Sequence, residues 1–317
     1  MKKGLFSLFF IATMLPMSLE AGDSIVHEAE QLVQALRVTC SGISDEIAKV
    51  GNVSKVNTAV SVAGTAASGG ALAVGIMKSR EDEEIEQLIA DMCDNGGCTP
   101  EGVEAMSDED FFEKVLMPMG RIAELQEKID RSKKLGNWRT GLMAGTVGTN
   151  LVSAIIAGLN KDQSDLIQHV TACNEMLNSV SGMETALKVA GVDPIRNPVM
   201  KQLRDIRDWC MPIDVSSVEK IEDRMKVVMG TSVAGVAIGV VGVGASAAAN
   251  SDKYTEAESK VVLTEEEKKK EKALNTTANV MAGANVVTGA VETGFNISLI
   301  TLTKKLIEQA ERCEGVL

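Results

Sequence analysis

The residues best suited to chemistry in this 317-residue chain are its six cysteines, Cys40, Cys93, Cys98, Cys173, Cys210 and Cys313. An even number of thiols fits three disulfides in an oxidising compartment. Zinc binding would call for a CxxC pair or a zinc-type Cys–His spacing, and the sequence has neither, so no metal site is expected. The two histidines, His27 and His169, fall in separate helical patterns and at different levels, which denies them a shared role as base or ligand. No GxSxG, HExxH or GxxxxGK[ST] run is present. Gly242-Val-Gly244-Ala-Ser-Ala247 imitates a dinucleotide fingerprint, but no alternating strand–helix series follows, so it reads as glycine-rich helix without a cofactor. Asn-x-Ser/Thr triplets at Asn52, Asn275 and Asn296 lie mostly in or beside uncharged runs and are discounted as glycosylation sites. Glu292 stands out because it interrupts an otherwise uncharged run, as a contact for a lumen or a partner, unless the run simply ends there. No catalytic residue emerges, and the chain is not expected to be an enzyme.

The elements that position these residues are long and helical. Aromatics make up 3% of the chain and glycines number 28, so closely packed helices are favoured over a sheet. Residues 227–251 contain no charge and are long enough to cross a bilayer as one helix. Weaker uncharged windows cover residues 56–77, 140–160 and 273–303, the last interrupted by Glu292. Gly141 with Gly145, and Gly235 with Gly239, are spaced four apart, as residues that let a second helix backbone approach.

The window centres, near residues 66, 150, 239 and 282, bracket turn signals around residue 108, at Pro194 and around residue 261. If each connection is a hairpin, all four windows lie at one level. The fold expected is all-α: a long up-down-up-down four-helix bundle, membrane-embedded through Gly/Ala-rich central segments. Residues 22–198 form the first helical hairpin and residues 199–317 the second. Cys40, Cys173, Cys210 and Cys313 then share one end of the bundle. Cys173 is expected to bond Cys210 across the Pro194 turn, leaving Cys40 with Cys313. Cys93 and Cys98 flank Asn95-Gly96-Gly97 at the other end, within reach of a local disulfide.

From Ser24 to Val50, apolar residues every three or four positions predict one helix with a buried stripe, weakest at Gly42 and Gly51. A second helix is expected to run on from the 140–160 window through Leu166, Val170 and Cys173. Lys2 and Lys3 precede an apolar run from Leu5 to Leu19, the pattern of a signal peptide covering residues 1–21 and cleaved after Ala21. Its removal takes away Lys2, Lys3 and Glu20 and moves the formal charge from −12 to −13, which disfavours nucleic acid as a partner.

Lys and Arg near the window ends are more numerous on the connections 78–139 and 252–272, which places those connections on the cytoplasmic side. Asn57, Asn150, Asn279, Asn285 and Glu292 argue for the opposite, a soluble bundle, unless they face other helices, and so does a Cys93–Cys98 disulfide, since a cytoplasmic pair would stay reduced. The function expected is that of a non-enzymatic exported envelope protein, membrane-spanning or membrane-associated, with a structural or assembly role. Its partners are the membrane and other protein helices or a second copy. The alternatives are a secreted pore former that inserts these segments into a target membrane, and a soluble periplasmic bundle.

Overall fold

The computed structural model describes residues 20–94, 122–193, 195–251 and 265–317, and among these there are seven helices and no strand. They are α1 (Glu20–Cys40), α2 (Ile43–Asp94), α3 (Ile122–Leu159), α4 (Ser164–Val189), α5 (Pro198–Trp209), α6 (Val215–Ser251) and α7 (Glu265–Glu314). Most of the expected signal peptide, Cys98, the Cys93 side chain and the helix starts at Thr99-Pro100 and residues 107–110 lie outside the described residues.

Two of the helices expected to be continuous are broken. Gly42 adopts φ +82, a backbone conformation that favours glycine, so α1 ends at Cys40 and α2 restarts at Ile43. The second break falls at residues 160–163, between α3 and α4. There the Asn160 amide donates to Ile156 O and the Gln163 amide donates to Asn160 O, each saturating a carbonyl the helix leaves free.

The chain divides into two compact units, and each of the two expected hairpins contributes to both. Unit 1 takes the described residues up to Ala48, Ser164–Val218 and Lys304–Leu317. Its core is conventional. Ala29, Val33, Leu36 and Cys40 form the buried stripe of α1, facing Leu166, Val170, Cys173 and Val180 of α4. The short α5 starts on Asn197, whose side chain accepts from the backbone N–H of Val199 and Met200, with Pro198 in the first turn. It buries Val199, Met200, Leu203 and Ile206. The buried Glu184 carboxylate pairs with Lys188 Nζ at 2.7 Å, accepts from Arg207 Nη1 and is approached by Arg204.

All four cysteines expected at one end belong to unit 1, but the pairing differs from expectation. Cys40 bonds Cys173 and Cys210 bonds Cys313, with Cα–Cα distances of 5.0 and 4.4 Å. Distance along a helix fixes the level of a cysteine but not which neighbour it faces. Here the Asn174 side chain holds the backbone of Ile213 through both its N–H and its C=O, at 2.9 and 2.7 Å. That clamp sets how the chain leaves α5, and Cys210 meets Cys313 instead of Cys173.

Unit 2 comprises Lys49–Gln163 and Glu219–Thr303, and is the four-helix bundle expected from the windows. Their common level is directly visible. Gly239 of α6 lies against Val147 of α3 and Asn285 of α7, while Gly289 of α7 lies against Thr65 of α2.

Two outcomes follow for unit 1. Peptide mapping without reduction should recover the Cys40–Cys173 and Cys210–Cys313 linked pairs. Replacing Cys210 and Cys313 with serine should cost about 2–4 kcal/mol in denaturant unfolding, and recovery of a Cys173–Cys210 peptide would refute the pairing. The Lys188 hydrogen bond, aided by Arg207 and Arg204, holds the Glu184 carboxyl below its usual range against the opposing effect of burial. Its folded value being depressed, Glu184 adds stability that is complete above about pH 4.3 and is lost as pH falls further. Glu184→Gln should therefore flatten the acid limb of the stability profile, and an unchanged limb would exclude this role.

Candidate functional site: the polar interior of the bundle

The buried positions of unit 2 alternate by three and four along every helix, the spacing of a coiled-coil seam, but their chemistry is inverted. On α2 they are Asn57, Ser61, Gly64, Ser68, Ala71, Gly75 and Lys78. On α3 they include Ser132, Arg139, Thr146, Asn150 and Ser153. The same spacing on α6 gives Ser232, Gly235, Gly239, Gly242 and Ser246, and on α7 Asn275, Ala282, Asn285, Gly289, Glu292 and Asn296. Small and polar side chains meet inside, where a water-soluble bundle would place leucines.

The outside is the reverse. Every exposed residue in stretches 56–77 of α2, 141–159 of α3, 227–247 of α6 and 277–300 of α7 is Ala, Gly, Val, Ile, Leu or Met. Val62, Ile155, Val240 and Val287 are each more than half exposed. The four stretches sit at one level and make a continuous apolar band, about 32 Å tall on α2 at ~1.5 Å per residue. Exposed charges bound it: Lys55, Lys161 and Lys226 at one margin, Arg80, Lys133, Lys134 and Lys272 at the other. Trp138, 70% exposed, stands at the second margin.

Within the band the polar groups form two regions. Near the Trp138 margin, Lys78 Nζ lies 2.7 Å from Asp82 Oδ2 and 3.5 Å from Glu271 Oε1, and Ser132 Oγ donates to Asp82 Oδ1 at 2.6 Å. Arg139, wholly buried, donates to Asn275 Oδ1 at 3.0 Å and to its backbone O at 2.9 Å. Two cations thus share this region with two anions. A layer of Ala71, Met143, Ala245, Ala278 and Ala282 then fills the interior with apolar groups from all four helices.

Beyond that layer Ser68 meets Thr146 at 3.0 Å, and further along lies Glu292. Its Oε1 accepts from Ser61 Oγ at 2.5 Å and lies against Ser153 Oγ, which is also 2.6 Å from Asn57 Oδ1. Glu292 is 1% exposed, Asn57 and Asn296 are fully buried, and Asn57 Nδ2 and both polar atoms of the Asn296 side chain lack hydrogen-bond partners.

The residues singled out in the sequence are dispersed. Gly235 and Gly239 lie at close approaches: an added Cβ would fall 2.4 Å from Asn150 Nδ2 and 2.6 Å from Val147 Cγ2 respectively. Gly141 and Gly145 do not, because both are exposed with open space around them. His27 is exposed beside Gln31 and Glu30, and His169 faces Glu46 at 3.2 Å, so the two do not meet. Among the described residues no group of three or more His, Cys, Asp or Glu side chains could hold a metal ion. The sequence reading missed the polar seam itself. The signal was available as Asn, Ser, Thr and Gly recurring at three and four, but a search for apolar stripes passes over it.

No known protein family, curated protein or solved structure matches the chain.

The two kinds of glycine predict opposite effects in denaturation followed in detergent micelles. Gly239→Ala should cost about 1–3 kcal/mol by overpacking against Val147. Gly141→Ala should be neutral or stabilising by up to about 1 kcal/mol, since alanine is the better helix former. Equal effects at both sites would reverse the assignment of inner and outer faces.

Proposed function

We propose that this chain is a non-enzymatic, exported membrane protein of the cell envelope, with a structural or assembly role, whose four-helix unit crosses a bilayer. The observation that carries the reading is the inversion of unit 2: small and polar residues inside, an uninterrupted apolar band outside. Four of the helical stretches are long and apolar enough to span by length and composition. The height of the band, about 32 Å, matches a hydrocarbon core of ~30 Å. Water would penalise the exposed Val, Ile and Leu and gain little from the Ser/Gly seam. In lipid, where apolar tails surround the bundle, close backbone packing and interhelical hydrogen bonds hold helices together. Trp138 fits the aromatic girdle of a membrane interface.

Export is supported by the Lys2–Ala21 pattern and by the two disulfides of unit 1, which persist in an oxidising compartment. The Lys and Arg excess on the connections 78–139 and 252–272 favours a cytoplasmic position for both.

Val240, 56% exposed and midway up the band, provides the test. The wild-type chain should stay in the membrane pellet through alkaline carbonate and dissolve only with detergent. Val240→Lys should sharply reduce that membrane-integrated fraction, since a lysine at mid-span costs about 2.5–3.5 kcal/mol. A mature chain recovered without detergent as a stable monomer, unaffected by Val240→Lys, would overturn the reading.

A further inference from the structure

We propose that the buried polar cluster around Glu292 is a binding site for one small monovalent metal cation of the sodium class. Charge gives the first argument. The polar region at Lys78 and Arg139 has two cations with Asp82 and Glu271, whereas among the described residues no cationic side chain comes within 4.0 Å of Glu292. The side chains in contact with it are Ser61 from α2 and Ser153 from α3, with Asn57 of α2 beside Ser153, and none of the three titrates. The cation further along that side, Arg224 of α6, donates instead to Ser298 O at 3.1 Å. A buried carboxylate without a counter-charge is costly, and one positive charge cancels it. A divalent ion would leave the same cluster charged in the other sense.

Proton counting gives the second argument. Ser61 Oγ has both Asn57 O, at 2.9 Å, and Glu292 Oε1 within reach of its single proton. Ser153 Oγ has both Asn57 Oδ1 and Glu292 Oε1 within reach of its own. Acceptor oxygens therefore outnumber the protons they share. A cation reverses this shortage, because each hydroxyl can turn a lone pair toward it. The donor set is a carboxylate, two hydroxyls and a carboxamide oxygen, all hard oxygens that suit alkali or alkaline-earth ions rather than softer metals.

Asn296 gives the third. It is fully buried one turn beyond Glu292 on the same face, and neither its Oδ1 nor its Nδ2 has a partner. Helical side chains lean toward the N-terminus, the direction in which Glu292 lies from Asn296, so a bound ion would give this unpartnered carboxamide oxygen a role.

The inference depends on packing within unit 2 alone and stands or falls separately from the crossing of a bilayer. The test uses the full chain purified in detergent micelles in choline chloride, with sodium replacing choline at constant ionic strength and fixed neutral pH. Sodium should raise the thermal midpoint by about 3 °C or more, and equilibrium dialysis with radioactive sodium should find one ion per chain. Glu292→Gln keeps the shape and should abolish both responses. Ser153→Ala should weaken the affinity about tenfold and serves as the second variant if Glu292→Gln fails to fold. A wild-type chain that ignores sodium overturns the proposal. So does a Glu292→Gln variant that keeps both responses.

Discussion

Close backbone approach through small residues is the constraint on which unit 2 depends. Gly75, Gly235, Gly239, Gly242 and Gly289 all lie where an added Cβ would come within 3.0 Å of a neighbouring helix's side chain. Helices that near each other leave no room for leucine or phenylalanine between them, which accounts for the scarcity of aromatics. The seam is consequently built of Ala, Gly, Ser, Thr and Asn, and its hydroxyls satisfy themselves locally. Ser54, Ser68, Thr146 and Ser232 each donate to a backbone carbonyl four residues earlier. Such a seam removes little apolar area from water, at roughly 25 cal/mol per Å², so the hydrophobic effect cannot be its main source of cohesion. Dispersion between close backbones and hydrogen bonds across them remain, and both act as well in lipid as in water.

Unit 1 obeys the opposite rule within the same chain. Leu36, Ile43, Ile47, Leu187, Met200, Leu203 and Ile206 are fully buried there, and its charges gather around Glu184 on paired side chains. This core gains from leaving water in the ordinary way, and two disulfides tie α1 to α4 and the end of α5 to α7. Helices α2, α6 and α7 each contribute residues to both units, so the change of rule occurs along single helices. On α2 the buried residues change from Ile43, Ile47 and Val50 to Ser54, Asn57 and Ser61 without any break in the helix. The side chains change while the spacing does not.

That continuity explains what could be read from the sequence and what could not. The windows, their common level and the grouping of Cys40, Cys173, Cys210 and Cys313 depend on distance along the chain, which residue counting supplies. Direction around a helix is a different quantity. Gly141–Gly145 and Gly235–Gly239 have the same spacing, yet the first pair faces outward and the second inward. With Ala, Val and Gly outside and Ala, Ser and Gly inside, the two faces of each window differ too little in hydropathy to reveal which is which. The disulfide partners escaped for the same reason, since four cysteines at one level allow three pairings and the Asn174 clamp that selects one is a tertiary contact. The break at residues 160–163 lacks glycine and proline, and its local marks are the weaker turn and helix-start residues Asn160, Asp162 and Ser164.

Glu292 is the position where close packing alone does not explain the residue. A glutamine would fill the same volume and still accept from Ser61 and Ser153, without a charge to compensate. The region around Lys78 shows what a purely structural solution in this bundle looks like, with opposite charges within 4 Å of each other. The Ala71–Met143–Ala282 layer separates the two regions, so the cations of one have no apparent route to neutralise the carboxylate of the other. Toward the Lys55, Lys161 and Lys226 margin, the buried side chains beyond Glu292 are Ser54, Ala157, Val228, Asn296 and Leu299, none of them charged. The carboxylate is therefore enclosed by an apolar layer on one side and by uncharged side chains on the other. Within that enclosure, compensation has to come from a mobile positive charge, and the seam that would have to part to admit one is held by small side chains that interlock little.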